Sequence, residues 1–159
     1  MNSIEIQTIF ESAGQPSEAQ IQLWIDTALE DVNRDTDRDT EIVVRIVDEQ
    51  ESAELNQQYR HKKGATNILS FPVEIPEGID IDLNLLGDLV ICAPVLEQEA
   101  QQQGKVLAHH WAHIIIHGVL HLLGYDHLDD EQAEEMESKE IALLQQLNIN
   151  NPYQQEVDQ

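Results

Sequence analysis

The chain has 159 residues and a formal net charge of −23, because 31 acidic side chains stand against 8 basic ones. This length and a hydrophobic content of 41% predict one globular domain with a substantial core. The acidic balance argues against a protein that binds nucleic acid through broad basic surfaces. No stretch approaches the roughly 20 apolar residues of a membrane helix, so we expect a cytoplasmic protein without a membrane span.

Strands and helices are predicted in alternation along the chain. Alternating or β-branched apolar residues predict four strands, at residues 4–9, 41–48, 66–72 and 85–94. Apolar residues at helical spacing predict five helices, at residues 17–32, 49–60, 94–104, 105–123 and 129–147. The chain shows no internal repeat and no low-complexity linker. We therefore predict a single α/β or α+β domain over residues 1–150, followed by a flexible C-terminal tail at 151–159.

Start and stop signals support these helices. Ser17 suits an N-cap whose capping-box partner is Gln20, and Asp48 suits the N-cap of the second helix. The last helix has Asp129 or Asp130 at its start, and Gly104 can end the third helix. The single cysteine, Cys92, lies in an apolar run, so we interpret it as a buried thiol without chemistry.

Histidines are concentrated in one short stretch of the sequence. Six of the seven histidines lie within 19 residues, at positions 109, 110, 113, 117, 121 and 127. His117 and His121 are four apart and share a helical face, and Gly124 can end the helix and turn His127 back towards them. Two such histidines alone are also typical of hydrogen-bonded core residues. With the third, the pattern predicts a three-histidine zinc site whose fourth position is open for catalysis.

The spacing H-x-x-x-H-x-x-G-x-x-H matches the ligand positions of metzincin proteases, with one difference. Those proteases have a glutamate general base directly after the first histidine, where this chain has Gly118. Peptide hydrolysis by that route therefore lacks its proton acceptor, whereas a zinc-activated water could still attack another bond. His113 is a candidate to support a ligand from behind, and His109 and His110 are interpreted as surface or packing residues.

A basic cluster, "RHKK" at residues 60–63, contains three of the eight basic side chains. Charge patterning alone favours a solvated turn there. A planar guanidinium such as that of Arg60 can also bind a phosphate through two hydrogen bonds. The sequence pattern leaves both interpretations open.

Four segments closely resemble the bacterial YbeY family, the metal-dependent endoribonucleases of rRNA maturation. They are "ELNQQYRHKKGATNILSFP", "LLGDLVIC", "HWAHIIIHGVLHLLGYDH" and "EEMESKE", and the resemblance runs from about residue 40 to Tyr153. It implies one zinc ion held by His117, His121 and His127, with Arg60 as an essential catalytic arginine beside His117. The implied fold is a single domain whose mixed sheet packs against a central helix that carries the first two ligands.

The resemblance also implies a function. It predicts a zinc-dependent, single-strand-specific endoribonuclease that matures the 3′ end of small-subunit rRNA and supports ribosome quality control. The implied partners are precursor RNA, the small ribosomal subunit and a basic ribosomal protein, with no DNA. Asp126 is a candidate to orient His127 or to take a proton.

Two rival interpretations remain open. One is a metzincin-like peptidase, against which Gly118 argues. The other is a ribosome-assembly binding factor with a structural metal, which the charge of −23 favours because an acidic protein suits a basic partner. A protein ligand in the fourth coordination position would distinguish this factor from an enzyme, because catalytic sites keep that position open.

Overall fold

The computed structural model describes residues 3–12, 14–32, 40–73, 85–126 and 128–153. These residues form four strands and five helices. In chain order they are β1 (Ser3–Thr8), α1 (Glu18–Val32), β2 (Glu41–Val47), α2 (Glu49–Arg60), β3 (Ile68–Pro72), β4 (Leu85–Cys92), α3 (Ala93–Gln103), α4 (Leu107–Leu122) and α5 (Asp130–Gln146). Every predicted strand and helix is therefore present among the described residues.

The strands form one mixed sheet with the order β1-β2-β4-β3. β1 runs parallel to β2 and β2 runs parallel to β4, whereas β3 pairs antiparallel with β4, placing Leu69 opposite Val90. The sheet and the five helices make a single α+β domain, which confirms the coarse fold prediction.

The larger apolar core lies on one face of the sheet, where α4 occupies the centre. Alternation along the strands directs Val44 and Leu89 into this core and Val47 and Val90 to the opposite face. α4 contacts α1, α3, α5, β3 and β4, and its Trp111 is completely buried. On the other face, α2 and α3 cover a smaller cluster of apolar side chains. The helix that carries two of the three predicted ligands is thus enclosed by the other elements of the domain.

The predicted caps form as hydrogen bonds. Oγ of Ser17 accepts from the backbone N–H of Gln20 at 3.2 Å, while Oε1 of Gln20 accepts from the N–H of Ser17 at 2.9 Å. The carboxylates of Asp48 and Asp129 accept from N–H groups in the first turns of α2 and α5. Gly104 ends α3 in the left-handed conformation, with φ 65°. Local capping chemistry therefore fixed these helix ends as predicted.

Several boundaries differ from the prediction by one or two residues, and two of these differences have identifiable reasons. β3 begins at Ile68 rather than at residue 66, because the hydroxyl of Ser52 occupies both the N–H and the carbonyl of Thr66 at 3.0 Å. α4 begins at Leu107 rather than at Lys105, because the N–H of Lys105 closes the end of α3 on the carbonyl of Ala100 at 2.9 Å. Thr66 and Lys105 thus belong to the loops that precede β3 and α4.

The remaining sequence predictions concern the cysteine, the tail and the membrane. Cys92 is buried as predicted, and burial raises the pKa of its thiol. The tail assignment for 151–159 stays a prediction, since residues 154–159 lie outside the described residues, while Tyr153 contacts the body of the domain. Of the helices that the structure describes, none is both long and apolar enough to cross a bilayer.

Candidate metal centre

One face of α4 carries a column of histidines at four-residue spacing, comprising His109, His113, His117 and His121. The ring centroids of His113 and His117 are 6.3 Å apart, and those of His117 and His121 are 4.6 Å apart. The last pair is the closer one, at the C-terminal end of the helix. This is the pair predicted to bind metal.

His117 and His121 direct their Nε2 atoms at each other across 3.1 Å. Two nitrogens bound to one tetrahedral zinc at 2.0–2.1 Å would stand about 3.3 Å apart, so the pair needs little adjustment to share an ion. Imidazole nitrogen is also a ligand that zinc prefers. The described geometry therefore fits two of the three predicted ligands.

The third predicted ligand, His127, lies outside the described residues, and its role stays a prediction. Within residues 3–126 and 128–153, leaving aside the gaps already named, no three His, Cys, Asp or Glu side chains form a metal-binding group. Gly124 does end the helix as expected, with φ 102°, and the N–H of Tyr125 closes on the carbonyl of Leu120 at 3.0 Å. The chain thus turns at Gly124, as required by the prediction that His127 folds back towards His117 and His121.

A buried carboxylate, Glu140 of α5, lies behind the pair formed by His117 and His121. One oxygen accepts a hydrogen bond from Nδ1 of His117. The other accepts from the hydroxyl of Tyr153 and lies 3.3 Å from Nε2 of His113. Burial alone would raise the pKa of Glu140, but its hydrogen bonds with His113, His117 and Tyr153 lower it to about 2. The group is therefore an ionised acceptor in the interior.

This carboxylate determines which nitrogen of the neutral His117 ring carries the proton. With Nδ1 donating to Glu140, the neutral ring has its lone pair on Nε2, the atom that faces His121. A carboxylate behind a ligating histidine is a common second layer of zinc sites, where it orients the ring and raises its basicity. The arrangement suits a ligand that is ready to bind metal.

Sequence reasoning missed Glu140 and Tyr153. One signal for Glu140 was present, because it shares the spacing of the buried face of α5 with Met136, Leu143 and Leu144. An acid on an apolar face needs a buried partner. Tyr153 follows the last helix, and its position offered no such signal. The prediction that His113 supports a ligand from behind is consistent with its contact to Glu140.

The two other helix histidines lie where packing and surface residues were predicted. His109 is exposed, and His110 is buried with its Nε2 3.0 Å from Oε1 of Glu99. Burial raises the pKa of Glu99, but His110 opposes this effect and the net shift is downward.

Gly118 faces the sheet at close range. A Cβ built on this residue would lie 2.5 Å from Cδ1 of Ile68 and 2.9 Å from Cδ2 of Leu89. Its carbonyl also accepts a hydrogen bond of 3.4 Å from the hydroxyl of Ser70. The glycine at the position of the protease glutamate is therefore closely packed on the sheet, and any side chain there would require the terminal methyl groups of Ile68 and Leu89 to move.

Arg60 is the last residue of α2 and is exposed to solvent. His61 ends the helix in the left-handed conformation, and Asn56 holds the following loop through a 2.9 Å hydrogen bond to the carbonyl of Gly64. Within the described residues the Arg60 side chain has no hydrogen-bond or ion-pair partner. The structure therefore does not join it to the histidines by a direct contact.

The edge strand β3 lies between Arg60 and α4. Tyr59, next to Arg60, packs its ring edge-to-face on Phe71 with centroids 5.1 Å apart. The neighbouring residue Ser70 contacts Gly118 on the opposite face of the sheet. One short strand thus positions the end of α2 relative to α4.

Comparison with known proteins gives a consistent family match. The family model described as Endoribonuclease YbeY matches residues 6–148. The Endoribonuclease YbeY of Colwellia psychrerythraea is 52% identical over 150 residues, which cover 94% of this chain and 96% of that protein. The Endoribonuclease YbeY of Pseudomonas syringae pv. syringae is 50% identical over 153 residues, covering 96% and 89%.

Among solved structures, the chain resembles the solution structure of TM1509 from Thermotoga maritima. The TM-score is 0.57 at 22% sequence identity, and the alignment covers 100% of this chain and 99% of the other. The two proteins therefore share a fold.

Proposed function

This chain belongs to the Endoribonuclease YbeY family, and on that premise we propose that it is a metal-dependent hydrolase that cuts phosphodiester bonds within single-stranded RNA. Its substrate would be the precursor of small-subunit rRNA, whose 3′ end it helps to mature in the cytoplasm. It would also act in ribosome quality control, with the small ribosomal subunit and a basic ribosomal protein as partners. The names of relatives at 50–52% identity support the RNA substrate.

The observation that carries this proposal is the pairing of Nε2 atoms of His117 and His121 across 3.1 Å, with a buried carboxylate behind the first ring. We assign His117, His121 and His127 as the ligands of one zinc ion. Two residues on a rigid helix and one after a glycine turn would leave a coordination position open for substrate or water.

In the proposed reaction, zinc, Glu140 and Arg60 have different roles. Zinc, when bound, would supply a Lewis acid for a phosphate oxygen and lower the pKa of a water molecule. Glu140 holds the proton of His117 at Nδ1 and so leaves Nε2 available. Arg60, which has no acidic partner within the described residues, is available to grip the scissile phosphate and to stabilise its developing charge.

The net charge of −23 supports a second candidate, a ribosome-assembly binding factor. An acidic surface repels RNA phosphates but suits a basic ribosomal protein. This role and nuclease activity are compatible, because a basic partner could bring the RNA to the enzyme. The peptidase alternative is weaker, because position 118 lacks the glutamate general base and packs closely against β3 and β4.

Cleavage of a 3′-extended small-subunit rRNA fragment tests the proposal. We would compare zinc-loaded wild type, Arg60→Ala and His121→Ala, purified identically, and measure the zinc content of each. We expect both variants to lose cleavage and only Arg60→Ala to retain zinc. Equal cleavage by all three proteins would indicate a contaminating nuclease. If none cuts the fragment or assembling small-subunit particles, the binding-factor role remains.

A further inference from the structure

A cavity of about 480 Å³ opens at the N-terminal end of the histidine column. The end of α3, the start of α4 and the segment after α5 form its walls. His113 and Tyr153 line it and also contact Glu140, so the cavity and the ligand pair share one hydrogen-bond network. At 1.5 Å per residue, position 109 lies about 12 Å along the helix from position 117. The cavity is therefore close to the metal centre without being part of it.

The chemistry of its walls is mostly neutral and amide-rich. Four carboxamides line it, from Gln102, Gln103, Asn150 and Asn151. Of the described residues that line it, none is an Asp or a Glu, although the chain has 31 such residues. Burial lowers the pKa of its one lysine, Lys105, although the nearby carboxylate of Glu99 opposes this shift. These walls offer hydrogen bonds to a neutral ligand rather than a strong positive charge to an anion.

Flat rings complete the cavity. The ring of Tyr153 is held edge-to-face on His113, with centroids 5.3 Å apart, and the residue remains 46% exposed. His110 and His113 are each more than nine-tenths buried, and carboxylates fix both rings through Nε2. Their Nδ1 atoms have no hydrogen-bond partner within the described residues. Both atoms are themselves inaccessible to solvent, so a ligand in the cavity would be held by the carboxamides and Tyr153 rather than by these nitrogens.

We propose that this cavity binds a nucleobase of the single-stranded RNA substrate, at a position near the scissile phosphate. The proposal rests on the proposed nuclease function for the identity of the ligand. Carboxamides can pair with the hydrogen-bonding edge of a base, and the ring of Tyr153 offers a surface for stacking. Binding bases through neutral groups suits a protein of charge −23, which has few cations for phosphate contacts.

Nucleosides without phosphate provide the direct test. Adenosine, guanosine, cytidine and uridine are titrated separately into the zinc-loaded full chain, and the backbone amide signals are followed by NMR. We expect at least one nucleoside to shift the signals of Gln102, Val106 and Asn150, and ribose 5-phosphate to leave them unchanged. Shifts with ribose 5-phosphate or inorganic phosphate alone, or no shift with any nucleoside, would overturn the proposal.

A double variant and a control test whether the side chains that line the cavity bind the nucleoside. Gln102→Ala combined with Asn150→Ala should weaken nucleoside binding about tenfold, because two amide hydrogen bonds are lost. The matched control is Gln101→Ala, an exposed glutamine of the same helix that does not line the cavity. An equal effect of the control and the double variant would contradict the assignment.

Cleavage kinetics distinguish a cavity that binds the RNA substrate from one that binds a free nucleotide. With single-stranded RNA, the double variant should raise KM about tenfold and leave kcat unchanged. An unchanged KM, despite weaker nucleoside binding, would overturn the substrate assignment in favour of a free-nucleotide site. If wild type cuts no RNA, the proposed function fails, while the nucleoside titration still decides whether the cavity binds a base.

Discussion

The carboxylate of Glu140 on α5 accepts a hydrogen bond from Nδ1 of His117 on α4, so a buried charge lies directly behind a surface-facing imidazole. The Glu140 side chain is 0% exposed and that of His117 is 26% exposed. One nitrogen of the ring is thus fixed in the interior, and the other faces His121. A single hydrogen bond between two helices thus determines which nitrogen of His117 faces His121.

The first prediction concerns this bond. Glu140→Gln removes the negative charge and presents an amide that can donate as well as accept, so His117 loses its fixed orientation. We expect zinc affinity to fall about 10- to 100-fold, the usual effect of removing such a partner. Competition with a zinc chelator measures it. Glu134→Gln, an exposed change of equal charge on the same helix, is the control and should bind zinc as wild type does.

The second prediction separates Arg60 from the fold. Its side chain has no partner within the described residues, so Arg60→Ala should leave the melting temperature unchanged. Cleavage should fall about 100-fold, because the charge on the phosphate loses its stabilising donors. Arg60→Lys should recover only part of the rate, since an ammonium lacks the planar fork. Lys63→Ala is the matched control, and a comparable loss of cleavage there would argue against a specific role for Arg60.

The third prediction concerns the contact of α4 with the sheet. Gly118→Ala should destabilise the protein by about 1–3 kcal/mol, although alanine usually favours a helix, because the new Cβ overlaps Cδ1 of Ile68. Ile68→Val removes that atom. In a double-mutant cycle by urea unfolding, the two changes should therefore cost less together than the sum of their separate costs. Additive costs would show that the overlap is not the cause.

The fourth prediction is a pH dependence of stability. Burial opposes ionisation of Glu99, but its contact with His110 leaves its pKa in the folded state below the ordinary value of 4.5. A lowered folded pKa gives stability that is present above pH 4.5 and is lost as pH falls below that value. Glu99→Gln should thus lose less melting temperature than wild type between pH 6 and pH 3. Glu97→Gln controls for the change in charge and should follow the wild-type profile.

Much of the fold could be predicted from the sequence, because its signals are local. Ser17, Asp48 and Gly104 act through hydrogen bonds or backbone conformation within a few residues, and each lies at the helix end expected of it. The beginning of β3 could not be predicted in this way. It depends on the hydroxyl of Ser52, 14 residues from Thr66, which occupies backbone groups that the pattern assigned to the strand.

The candidate site also has one part that could be predicted from the sequence and one part that could not. The proximity of His117 to His121 follows from helical spacing and is present in the structure, while their role as metal ligands stays a prediction. The network behind them joins three separate segments through Glu140, His113 and Tyr153, and no spacing rule connects residues 13 to 40 positions apart. Sequence patterns reveal histidines that share one face of a helix, whereas the residues that support them depend on how α5 and the C-terminal segment pack against that helix.

The enclosed position of α4 has a consequence for how the protein would acquire its metal. Small zinc domains lack a sufficient core and fold only when the ion binds. Here the ligand helix is surrounded by other helices and the sheet, with Trp111, Ile115 and Leu120 completely buried. Its amide hydrogens should therefore be among the slowest of the domain to exchange with deuterated solvent, even after chelation. The binding energy of zinc would then be available for holding substrate instead of being consumed in ordering the chain.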